Sequence, residues 1–121
     1  MNQTYDIYLG NNKLGTTSFE FTNSSRGIVF GPIDLNEGIS GYEFLMQWCK
    51  AHQIELEIDL PEDQTILTKT ILPLTIKDKR GMTIQWTANH ITGIANKDFE
   101  LAVQGISCSV IYQANSYQRI G

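Results

Sequence analysis

The sequence predicts an α+β domain: a β-rich, mainly antiparallel sheet or partly open barrel of seven or eight short strands, with one amphipathic helix at about 40–53. Three observations predict it. Apolar and polar residues alternate with period two in short runs along most of the chain, helical spacing occurs in one segment, and no βαβ rhythm calls for a parallel sheet. The 121 residues suit a single domain over 1–121, and a 41% hydrophobic content with a net charge of only −4 favours a packed core over a disordered chain.

Tyr5, Ile7 and Leu9 alternate with Asp6 and Tyr8 in a first strand that ends at Gly10. Gly10-Asn11-Asn12-Lys13 has turn composition, and Leu14 to Phe21 returns as a Thr-rich, aromatic strand with Phe19 and Phe21 on one face. After the polar loop Asn23 to Gly27, Ile28-Val29-Phe30 reads as a short strand stopped by Gly31-Pro32.

Helical signals coincide at Ile39 to Gln53. Ser40 and Glu43 fit a capping box, and Ile39 with Phe44 fits a hydrophobic staple. Tyr42, Leu45, Met46 and Cys49 then fall at i, i+3, i+4 and i+7, widened by Phe44 and Trp48, while Lys50 and His52 suit the negative end of the helix dipole. This helix is expected to cover a sheet.

Ile54, Leu56, Ile58 and Leu60 alternate with Glu55, Glu57 and Asp59, so the next strand should hide one oily face and leave an acidic one wet, ending at Pro61. Thr65 to Ile76 continues in β-formers with an edge or bulge expected at Pro73, and Leu74 to Ala88 forms a hairpin around Lys77-Asp78-Lys79-Arg80-Gly81. Phe99, Leu101 and Val103 mark another strand, Gly105 permits a bend before Ile106 to Tyr112, and the tail from Gln113 is irregular.

No apolar run is long enough to span a membrane, and the first ten residues lack the basic and apolar regions of a secretory signal. The expected setting is therefore the cytoplasm, with Cys49 and Cys108 as free thiols. Asn2 and Asn23 match the glycosylation pattern, which has no consequence in that compartment.

Charge is the most informative functional feature. From Asp34 to Asp63 eight acids face Lys50 alone, a net −7, while the remainder holds five acids and eight bases, a net +3. Such segregation favours a basic partner, and Glu55, Glu57, Asp59, Glu62 and Asp63 are the candidate contact residues. The same acids also fit a solvated outer face that discourages aggregation. The spacing of Asp59, Glu62 and Asp63 departs from the calcium-loop pattern, and Glu55 with Glu57 lacks the cleft of a glycosidase pair. Cys49, His52, His90 and Cys108 match no zinc spacing, no nucleophile elbow accompanies either cysteine, and the glycines form no phosphate cradle. No cofactor or metal is expected, and an acidic chain with only Lys77, Lys79 and Arg80 clustered is a poor nucleic-acid binder.

The leading reading is thus a small protein-binding module of the bacterial immunity or inhibitor type, its acidic face against a basic partner such as a toxin. The rival is a small-ligand-binding β-domain or enzyme with a pocket between helix and sheet lined by Tyr42, Trp48, Trp86 and His90. A self-associating subunit with Trp86 or the Pro73 edge at its contact is the third.

Overall fold

The computed structural model describes residues 3–23 and 27–106, which form ten strands and one helix. The opening hairpin pairs β1 (Tyr5–Leu9) with β2 (Asn12–Thr17), turning at Gly10, whose φ of 60° suits a residue without a side chain. The expected strand through Phe21 breaks after Thr17. A short β3 (Phe21–Asn23) follows, so Phe19 enters the core while Phe21 stays on the surface.

Strand β4 (Ile28–Leu35) runs straight through Gly31-Pro32, where the sequence suggested a stop. Its neighbours explain the passage. Ile33 to Leu35 pair with β2 and Ile28 to Phe30 with β3, and between Thr17 and Phe21 the neighbouring edge holds one residue more than β4 does. Pro32, which has no N–H to give, stands beside that break.

Helix α1 (Tyr42–Ala51) buries Tyr42, Leu45, Trp48 and Cys49, close to the expected stripe, with Phe44 and Met46 half-buried at its margins. The expected Ser40–Glu43 capping box does not form. Instead Asn96 Oδ1 accepts the Tyr42 N–H at 2.8 Å, and Gly41 has φ 84° with its missing Cβ only 2.4 Å from that same oxygen. A cap brought from 54 residues away has displaced the local one.

The rest of the chain supplies β5 (Leu56–Leu60), β6 (Thr65–Thr68), β7 (Leu74–Lys77), β8 (Thr83–Ile84), β9 (Ala88–Ile94) and β10 (Lys97–Gln104). The strands lie in the order β5-β6-β9-β10-β4-β2-β1-β7-β8, with β3 also on β4, all neighbours antiparallel. The sheet is open rather than a barrel, and its ten strands exceed the seven or eight expected: the break at 18–20 splits off β3, and the hairpin strand expected to run to Ala88 stops at Ile84, Ala88 instead opening β9, a strand that alternation had not marked. Pro73 occupies the turn between β6 and β7, neither an edge nor a bulge, and its carbonyl accepts the Gly10 N–H. β4 is the one strand shared by two wings, β8-β7-β1-β2 on one side and β10-β9-β6-β5 on the other. Ile7, Leu9, Leu14 and Ile76 from the first wing and Val29, Ile66, Ile91, Leu101 and Val103 from β4 and the second join the helix in one buried cluster. The irregular tail from 113, the strand expected at 106–112 beyond Ile106, and Cys108 lie outside the described residues.

Candidate functional site

The acidic segment forms one end of the sheet. Among the described residues β5 pairs with β6 alone, and its pairing jumps from Leu56↔Thr68 to Ile58↔Leu67, so Glu57 is an extra residue on the edge. One extra residue inverts every side chain beyond it. Leu56 packs on the core, yet Ile58 and Leu60 face outward, 41% and 48% exposed, and Asp59 turns inward. The expectation of one hidden oily face and one wet acidic face over 54–60 is corrected accordingly: the two characters exchange sides at Glu57.

Each acid has its own surroundings. Asp59 accepts a short hydrogen bond from the Tyr42 hydroxyl, which joins the edge strand to the start of α1. Glu55 pairs with Lys69 at 3.0 Å, both ends largely in water, so the pair contributes little stability. Glu57 is exposed, as are Glu62 and Asp63 in the Pro61–Gln64 turn, and none of the three forms a salt bridge with a described residue. That turn is held by hydrogen bonds from Asp63 N–H to the Leu60 carbonyl and from Gln64 N–H to the Pro61 carbonyl, and the Gln64 carbonyl in turn accepts the Asn96 N–H.

The Tyr42 hydroxyl ionises with difficulty. Its hydrogen bond to Asp59, followed by burial and by the negative charges of Asp59 and Glu43, pushes its pKa up to about 12 from the usual 10.0. A folded-state value above the unfolded one means that this contribution to stability is complete below pH 10.0 and is lost as pH rises through about 12. Asp59→Asn should therefore bring one phenol's midpoint back towards its ordinary value, as followed by ultraviolet phenolate absorbance. An unchanged titration would refute the coupling.

A groove of about 330 Å³ opens on the outer face beside this edge, lined by residues that include Glu57, Lys69, Thr70 and His90. It exists because β6 and β9 pair only at Ile66↔Gly93 and Leu67↔Thr92, then diverge. Inside the divergence Thr68 Oγ1 accepts the Ile91 N–H, and the buried Asn89 amide bonds both the N–H and the carbonyl of Ile71. Glu57 and His90, drawn from two different sequence hypotheses, thus share one groove. No motif or charge pattern points to Asn89 or Lys69; their roles follow from the divergence of β6 from β9.

Tyr42, Trp48 and Trp86 do not line that groove. Tyr42 is buried at the start of α1, and Trp48 lies 3.8 Å from the Cβ position of Gly10 with the His52 ring stacked on it at 3.9 Å. Trp86, half-buried, donates its indole N–H to the Leu74 carbonyl in the other wing. On the β7–β8 turn, Asp78 is buried and accepts from the Met82 and Arg80 N–H groups and the Arg80 side chain, which together hold its carboxyl below the usual range despite an opposing desolvation. Burial pushes the Cys49 thiol up to about 11, which suits a packing residue better than a nucleophile. Among the described residues no three His, Cys, Asp or Glu side chains are placed to hold a metal, and no helix is long and apolar enough to cross a membrane. No protein-family model, curated protein or solved structure matches the chain.

Proposed function

We propose that the chain is a protein-binding module, of the immunity or inhibitor type, whose acidic sheet edge engages a basic partner such as a bacterial toxin. The observation that carries this reading is the set Glu57, Glu62 and Asp63, exposed at the end of the sheet and in no salt bridge among the described residues, beside the outward-facing Ile58 and Leu60. Unpaired charges of one sign steer a partner of the other sign, and the adjacent apolar pair gives the encounter something to bury. Glu55 takes part at the rim once Lys69 yields, whereas Asp59 belongs to the support of the edge through Tyr42. The mechanism is occlusion of the partner's surface, without covalent change, in a reducing cytoplasm where Cys49 remains a thiol.

The test reverses Glu57, Glu62 and Asp63 to Lys together and leaves Asp59 intact, so that the fold is spared. Basic proteins retained by the natural chain at low salt should elute by about 0.5 M salt, and the reversed chain should hold them roughly tenfold or more weakly. Equal retention by both chains would overturn the proposal. A second reading, a site for a small polar ligand, draws on the groove that gathers Glu57, Lys69 and His90. His90→Ala separates the two, since it alters the groove and leaves the acids of the edge in place.

A further inference from the structure

We infer that β5 holds its partner by strand addition: an extended partner segment, alternating lysine or arginine with apolar residues, pairs with the outer edge of β5. This rests on the reading of a basic partner and specifies how the edge takes it. β5 ends the sheet, and among the described residues no strand lies on its outer side. Half of the backbone N–H and C=O groups of such a strand point away from the sheet and require partners. Its five residues match a segment of five or six, about 17–20 Å long.

The side chains choose the occupant. Beyond the bulge, Ile58 and Leu60 stand on the outer face next to the half-buried Leu67, so an added strand extends an apolar row already started. Glu55, Glu57, Glu62 and Asp63 border the same edge, which rejects acidic strands and favours cationic ones. A second copy presenting its own β5 would oppose acids to acids. A second copy presenting the opposite edge, β8, would offer two residues, with Lys77 drawn over the Tyr8 ring and Arg80 engaged by Asp78. A foreign basic segment satisfies both the backbone and the charge.

The experiment uses the full chain and synthetic peptides of about seven residues that alternate Lys and Val. One peptide is unmodified, and two carry backbone N-methyl groups on alternate residues, in opposite phases, so that one of them blocks the edge-facing donors without altering charge. The unmodified peptide should bind and slow amide hydrogen exchange at 56–60. One N-methylated phase should bind roughly tenfold more weakly or worse, as expected for losing two or more hydrogen bonds. If both phases bind as well as the parent and exchange is unchanged, strand addition is wrong while the acidic-edge reading stands. If no peptide binds, both fall. Should the chain alone dimerise in sedimentation, with protection at 56–60 that grows with its own concentration, the occupant is a second copy and the foreign segment is excluded.

Discussion

Asn89→Leu should lower the stability of the chain by about 2–6 kcal/mol, the larger of two structural effects expected here. Asn89 is buried on β9 and works as a piece of backbone: its Nδ2 donates to the Ile71 carbonyl and its Oδ1 accepts the Ile71 N–H, each at 3.1 Å. Those bonds continue the sheet where β6 has already parted from β9. Leucine fills a similar volume and offers neither group, so a fully buried N–H and a buried C=O lose their partners together, at about 1–3 kcal/mol each. Alanine is the gentler substitution, because the adjoining groove leads towards residue 89 and water can enter the space. Urea denaturation followed by tryptophan fluorescence reads the difference as a fall in midpoint at unchanged slope. A loss below about 1 kcal/mol would show that the Asn89–Ile71 pairing is dispensable.

Gly31→Ala should cost about 1–3 kcal/mol and lower the melting temperature by several degrees, on the order of 10 °C. A Cβ at this position would lie 2.1 Å from the Ser18 carbonyl oxygen and 3.0 Å from its carbon. Both are backbone atoms, so no side-chain rotation relieves the overlap; the chain at 18–20 has to lift away from β4. Gly15 sits under the same constraint against Asp34, 2.2 Å from its carbonyl oxygen, which marks β2 and β4 as unusually close over this stretch. Thermal melting of the single variant is sufficient as a check. A transition within about 2 °C of the natural chain's would mean that the crossing at Ser18 gives way freely.

Where alternation and turn composition agreed, the sequence was a good guide. The β1–β2 hairpin, the helix stripe and the inward triplet Phe99, Leu101 and Val103 all lie where local chemistry puts them, whereas the hairpin expected over Leu74 to Ala88 is cut short, β8 holding only Thr83–Ile84 and Ala88 opening β9 in the other wing. Misreadings arose where a partner segment decided the outcome. Gly31-Pro32 looks like punctuation, yet a neighbour that breaks in step lets β4 continue through it. Ser40 and Glu43 spell a cap, but Asn96 takes that helix end in their place. Most consequentially, the run from Ile54 to Leu60 alternates without a flaw in sequence, and only the pairing with β6 shows that Glu57 is supernumerary. Periodicity reports which residues differ in polarity; register determines which way they point. For the candidate edge, charge made the acids legible in advance, whereas the inward turn of Asp59 and the meeting of Glu57 with His90 required three-dimensional neighbours.

Asn96 carries an implication for the order of assembly. Its side chain holds the Tyr42 N–H and its own N–H holds the Gln64 carbonyl, so residues 42, 64 and 96 converge on a single amide-bearing residue. A ten-residue helix is marginal by itself in water, and this one has no side-chain cap of its own near its start. Its first turn is therefore secured only after a loop of 54 residues has closed, a contact of high sequence separation that slows folding. On a growing nascent chain the same logic holds the front of the helix, and with it the Tyr42 clamp on the acidic strand, in suspense until the segment around residue 96 has been synthesised.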